Sequence, residues 1–246
     1  MFLLYGWRAR IGLIVPSSNT TCESEFYKMK PEGVSIHTSR CKLAENIIEK
    51  EKIGSIIEMN KNIFRAADEI ATTNPDIIVW ACTTGSFIKG MGYDKELQQL
   101  IYKRTNIRSI TTSTAVINAL KTIKVKKISM LTPYIEKLTR LEEEFLKASI
   151  PNLEICKVKS LGILSNIPKG NIFPEEVYKL VKSIDCESAE AIFISCTNMR
   201  AIEVIEILEK DLGKPVLSSV QASFWLALKE LKIPAKPGFG SLFSYI

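Results

Sequence analysis

Ile77-Ile78-Val79-Trp80-Ala81-Cys82-Thr83-Thr84-Gly85-Ser86 and Ala191-Ile192-Phe193-Ile194-Ser195-Cys196-Thr197-Asn198-Met199-Arg200 read as two copies of one stretch. In each, an apolar run leads to a small residue, a cysteine and a threonine, then to polar residues that open a helical pattern. An apolar run of this length, bounded by turn signals, has the character of a buried parallel strand. Each cysteine is therefore expected where a strand ends and a helix begins. In open α/β sheets ligands bind at that end of the strands. Cys82 and Cys196 are thus expected to face each other across one small-molecule site.

The rest of the chain repeats around this pair. Ile11-Gly12-Leu13-Ile14-Val15-Pro16 matches Ile128-Ser129-Met130-Leu131-Thr132-Pro133, with the prolines 117 residues apart. The two cysteines are 114 apart, and the matching stretches 112–121 and 219–229, both ending Ala-Leu-Lys, close on lysines 108 apart. Three matches in one order imply two copies of a four-stranded unit. Strand and helix patterns alternate throughout, which predicts an α/β fold with parallel sheets. The expected arrangement is two parallel-sheet halves related by a pseudo-twofold axis, with the active site in the cleft between them. The expected division is residues 1–112 plus 222–246 for the first half and 113–221 for the second. In detail, one helix is expected over 53–71 and another over 199–212. A loop is expected over 161–173, and a loop or irregular helix start over 85–92.

Composition narrows the function. With 246 residues and 46% of them hydrophobic, the chain can bury a sizeable core. No apolar run reaches the roughly 18 residues of a membrane span. The opening Met1-Phe2-Leu3-Leu4-Tyr5-Gly6-Trp7 lacks a basic start and a small-residue cleavage site, so no signal peptide is expected and the cytoplasm is the expected location. The formal charge of +6 is spread along helical patterns, which reads as solvated faces. No basic segment is interleaved with aromatics, so neither nucleic acid nor membrane is an expected partner. The six cysteines include no Cys-x-x-Cys pair and are expected as free thiols. His37 is the single histidine, lies in a strand pattern and reads as structural, so no metal site is expected. Chemistry is left to thiols, hydroxyls and backbone amides.

Four strand ends should point into the cleft: 16–20, 82–86, 132–134 and 196–198. They are short of charge. They offer the two thiols, the hydroxyls of Thr83, Thr84 and Thr197, the side chains of Asn19, Tyr134 and Asn198, and free helix N-terminal amides. Such amides bind anions, so a small carboxylate is the expected ligand. A cysteine at a helix N-terminus is expected to have a lowered pKa. Two such thiols can act as nucleophile and acid, or as a base–acid pair. A single cysteine after a buried strand is ordinarily packing; two at equivalent points of a repeat point to function. Cys22, Cys41, Cys156 and Cys186 lack such a counterpart and read as structural. Asn19 can cap its helix or hold a ligand, Tyr134 can pack or contact a ligand, and Asn166 can simply form a turn.

Val15-Pro16-Ser17-Ser18-Asn19-Thr20-Thr21, Ala81-Cys82-Thr83-Thr84-Gly85-Ser86, Thr132-Pro133-Tyr134, Ser195-Cys196-Thr197-Asn198 and Ser218-Ser219-Val220-Gln221-Ala222 together resemble the maleate cis–trans isomerase family. That group belongs to the aspartate/glutamate racemase superfamily, with the arylmalonate decarboxylases. The resemblance spans nearly the whole chain. It implies two Rossmann-like halves and a cofactor-independent site. It implies Cys82 as the nucleophile that adds to the maleate double bond, and Cys196 as the second thiol, a proton donor or acceptor. It implies that Asn19, Tyr134 and Asn166 hold carboxylates and that Thr83 and Thr84 form the anion hole, with Thr197 and Asn198 beside the second thiol. Decarboxylases of this type keep only the second thiol, so the pair here argues against decarboxylation. A two-thiol racemase of an amino acid or hydantoin, and a non-catalytic acid-binding protein, stay open. Val220 departs from the polar residue expected in the last motif. A homodimer or homotetramer is the expected assembly.

Overall fold

The run 11–15 is buried on both faces, so its strand, β1 (Ala9–Pro16), belongs in the middle of a sheet and not at its edge. The computed structural model describes residues 4–246 and places it there. The signal-peptide reading of the N-terminus includes residues 1–3, which lie outside the described residues. β1 pairs in parallel with β2 (Val34–Cys41) on one side and β3 (Ile77–Trp80) on the other. β4 (Ser109–Thr111) completes the order β2-β1-β3-β4. The second sheet contains β5 (Lys127–Thr132), β6 (Glu154–Ser160), β7 (Ala191–Ile194) and β8 (Val216–Ser218). Its order, β6-β5-β7-β8, is the same and again all parallel. The repeat is visible in the register. Ile14 pairs with Trp80, and their counterparts Leu131 and Ile194 pair likewise. β3 and β7 are wholly buried, as their unbroken apolar sequences require.

The helices are α1 (Cys22–Met29), α2 (Lys52–Lys61), α3 (Ile63–Ala71), α4 (Thr83–Phe87), α5 (Tyr93–Thr105), α6 (Thr112–Thr122), α7 (Glu136–Ser149), α8 (Asn166–Gly170), α9 (Pro174–Ile184), α10 (Ile205–Leu212) and α11 (Ser219–Leu231). None is long and apolar enough to cross a membrane. After each fourth strand the chain enters a helix through the same cap. Thr111 Oγ1 accepts from Thr114 N at 3.2 Å, and Ser218 Oγ accepts from Gln221 N at 3.1 Å. These two helices, α6 and α11, pack on each other and join the halves. Ser223 Oγ donates to Thr112 Oγ1 at 3.0 Å across that seam, and Phe224 stacks edge-on against Phe26 at 4.9 Å.

Three expected elements come out differently. The helix expected over 53–71 is two, broken at Asn62. There the Asn62 side-chain amide takes the Glu58 carbonyl at 3.3 Å while its backbone N–H turns to Met59 at 3.0 Å. The loop expected over 161–173 contains α8. The helix expected from 199 begins only at Ile205. Its would-be first N–H groups, on Ala201 and Ile202, donate instead to the buried carboxyl of Glu25 at 2.9 and 3.3 Å. A tertiary acceptor has replaced the helical ones.

Candidate active site

At the carboxyl ends of the two sheets lies a narrow, largely enclosed cavity of about 20 Å³, lined from both halves. Every residue expected there reaches it: Asn19, Cys82, Thr83, Thr84, Tyr134, Asn166, Cys196, Thr197 and Asn198. Of the two segments suggested by their glycines as covers, 161–171 lines the space through Asn166 and Lys169. No residue of 85–92 is among its lining residues. Leu43, from the loop after β2, covers another side.

Cys82 follows β3 and is the N-cap of α4; its Sγ accepts from Gly85 N at 3.3 Å and lies 3.7 Å from Thr84 Oγ1. A sulfur in that role needs a residue without a side chain opposite it. A Cβ on Gly85 would sit 2.9 Å from Cys82 Sγ, 2.9 Å from the Trp80 ring and 3.0 Å from Asn60 Oδ1. Gly85→Ala is expected to cost ~1–3 kcal/mol of stability through this overpacking. Urea unfolding checks it, and an unchanged midpoint would refute the packing account.

Cys196 is not at a helix N-terminus, contrary to expectation. It holds a left-handed backbone, φ 94°, in a turn that runs on to α10. Glu25 is the cause, since it takes the amides a helix would have used. The Cys196 Sγ accepts from Asn198 N at 3.3 Å, and the Cys196 N–H donates to Ser219 Oγ at 3.0 Å. Thr83 Oγ1 donates to the same Ser219 Oγ at 3.1 Å, so the residue opening α11 ties both thiol segments together.

The lowered thiol pKa expected from helix ends is not what the site produces. Both thiols are nearly sealed, at 5% and 6% exposure. Burial pushes Cys82 up to about 11, against the opposing pull of the Thr84 hydroxyl and the Gly85 amide. Burial also raises Cys196, opposed by the Lys169 ammonium, the Asn198 amide and the Tyr134 hydroxyl. Desolvation outweighs a five-residue helix.

The asparagines are hydrogen-bonded within the protein. Asn19 Oδ1 accepts from Thr21 N at 3.0 Å and Cys22 N at 2.9 Å, while its Nδ2 donates to Thr197 O at 3.1 Å. It caps its own helix and grips the second half at once. Asn198 Oδ1 accepts from Thr20 N, and its Nδ2 donates to Asn166 O, both at 2.8 Å. Asn166 N donates to Glu45 Oε2 at 2.8 Å and its Nδ2 to Ser18 Oγ at 3.1 Å. Behind Tyr134, Ser195 Oγ lies 3.4 Å from the phenol oxygen and 2.7 and 2.8 Å from the two oxygens of Glu142. Burial raises Glu142 to about 8, so it is a neutral acid at pH 7. Its folded pKa lies above its unfolded one. Its contribution is therefore complete below about 4.5 and lost as pH rises through about 8. Glu142→Gln, which cannot titrate, is expected to gain melting temperature relative to wild type between pH 5 and pH 8.5. A Tm difference that ignores pH would refute this.

Two charged lining residues were not legible as site residues, Lys52 and Lys169, because lysines on helical patterns normally face solvent. Glu142 and Ser219 were missed as well. Val220 is fully buried in the first turn of α11 and does not line the space. His37 lies in β2 with its Nε2 2.9 Å from Ser35 Oγ, away from the site. Among the described residues no group of three or more His, Cys, Asp or Glu is placed to hold a metal ion.

A duplicated parallel α/β fold with one buried thiol at the same strand end of each half defines a protein with a two-thiol site shared between paired halves. The arylmalonate decarboxylase family profile matches residues 11–243, and the chain belongs to that family. Within it, the chain is 30% identical to the maleate isomerase of Geobacillus stearothermophilus, over 96% of this chain and 97% of that one. It is 25% identical to the arylmalonate decarboxylase of Bordetella bronchiseptica, over 95% of each. In three dimensions it is similar to the Pseudomonas putida maleate isomerase crystallised with maleate, with TM-score 0.89, 25% identity and 96% and 97% coverage. It is similar also to a cysteine-to-serine mutant of the Nocardia farcinica maleate cis-trans isomerase with a covalently bound succinylcysteine intermediate. There the TM-score is 0.88, with 26% identity and coverage of 96% and 98%.

Proposed function

We propose that this chain is an isomerase that converts maleate to fumarate, with Cys82 as nucleophile and Cys196 as proton carrier. The observation that carries the reading is the pair of buried thiols facing one closed space from equivalent strand ends. The succinylcysteine trapped in the Nocardia farcinica relative supports thiolate addition as the chemistry. The Cys82 thiolate adds to one alkene carbon. The electron pair moves to the neighbouring carbon, whose carboxylate spreads the charge, and that carbon takes the proton of Cys196. The former double bond is now single and rotates. Cys196 thiolate takes the proton back, the alkene re-forms and Cys82 leaves as thiolate. Atoms and charge balance, and no cofactor takes part in these steps. The backbone amides of Thr83 and Thr84 and the Thr84 hydroxyl would receive the charge that develops on the carboxylate.

A cytoplasmic location suits this reading, because both thiols must stay reduced for the chemistry.

Proton NMR of the reduced protein with maleate in D2O tests the activity. Fumarate is expected to appear. Its absence, with exchange of the α-proton of aspartate or glutamate instead, would replace the isomerase with a racemase.

A further inference from the structure

Two buried cations remain unexplained by the chemistry above. Lys52 opens α2 and Lys169 lies in α8, and each is 3% exposed. Both line the same closed space as the thiols. Lys52 Nζ is sealed from solvent and has no hydrogen-bond partner. Lys169 Nζ sits 5.3 Å above the Tyr134 ring, a weak substitute for an anion. A buried ammonium without a partner is costly, and proteins seldom keep one unless something arrives to pair with it. One ammonium thus enters from each half, from the first residue of α2 and the fourth of α8.

We infer that Lys52 and Lys169 are the specificity residues of the site, one ammonium for each end of a small symmetric dicarboxylate. The assignment rests on the isomerase reading only for the name of the substrate; the preference for a dianion stands by itself. One positive charge arrives from each half, so an acid with a single carboxylate leaves one ammonium unpaired. The closed site then selects by charge count as well as by length. It also retains the product, since fumarate carries the same two carboxylates.

The test uses acids that cannot react. Succinate has two carboxylates and butyrate one, on the same four-carbon chain, and neither has a double bond. Their binding to the full-length reduced protein, to Lys52→Met and to Lys169→Met is measured by calorimetry. The wild type is expected to prefer succinate by more than about 30-fold, and each variant to lose at least about tenfold in succinate affinity while keeping that for butyrate. The ligand-free melting temperature of Lys52→Met is expected to equal or exceed that of wild type, because an unpaired buried charge has gone. That readout also separates lost binding from lost folding. With maleate, the variants are expected to raise KM more than they lower kcat. No succinate preference in the wild type, or variants with wild-type succinate affinity, would overturn the inference. Lysine-dependent succinate binding in a protein that leaves maleate untouched would sink the isomerase reading and keep this one.

Discussion

Cys82→Ser is expected to abolish conversion of maleate to fumarate, on the order of 10⁴-fold or more, while the protein stays folded. A serine hydroxyl in the same pocket cannot ionise near neutral pH and adds poorly to an alkene. Cys196→Ser is expected to lose a comparable factor by a different route. Cys82 can still add and the neighbouring carbon takes its proton from water, but no thiolate removes that proton again to let Cys82 leave. Intact mass of Cys196→Ser after exposure to maleate should therefore show the protein heavier by one maleic acid, and Cys82→Ser should show no adduct. An adduct on Cys82→Ser, or turnover by it, would remove Cys82 from the nucleophile's role. The assignment of roles, and not only of the pair, is what the two masses decide.

The rate constant kcat/KM should rise about tenfold per pH unit up to about pH 8 and then level off. The reactive form holds Cys82 as thiolate and Lys169 as ammonium. Burial lifts the first to about 11 and drops the second to about 8, so the neutral pair dominates. Neutral pair and ion pair carry the same single proton, however. Together they become the main species as pH passes about 8 and disappear as it passes about 11. The profile of kcat/KM reports these free-enzyme values. In Lys169→Met only the thiol titrates, so the rise should continue beyond pH 8 toward 11. A profile flat from pH 6 to 8 in the wild type would refute the ion-pair account.

The duplicated architecture was legible because parallel strands buried on both faces leave unbroken apolar runs, and the two cysteine stretches display them twice. The strand-end residues followed at once, since the carboxyl ends of parallel strands lie along one edge of the sheet. What escaped was anything decided by distant contacts. Asn62 looked like one polar residue on a helix, yet its side chain competes for a backbone carbonyl and breaks it. Glu25 looked like a favourable first-turn acid, but its carboxyl reaches across to the turn after Cys196. The pKa of Cys82 was misjudged for a related reason. A sequence reveals that a thiol caps a helix, but not that the closed halves leave it dry. The lysines escaped because lysine on a helical pattern normally faces solvent, and only the packing of α2 and α8 against the cleft turns these two inward.

Glu25's reach has a consequence for how a tandem gene copy becomes a directional catalyst. Two identical halves would give two identical sulfurs, and a twofold-symmetric pocket in which either sulfur is equally placed to attack. By pulling the second copy's turn out of helix, one carboxyl makes the sulfurs inequivalent: one caps a helix, the other sits on a twisted backbone beside a phenol. Division of labour between attack and proton delivery thus traces to a broken symmetry, set by a residue that touches neither sulfur's substrate face.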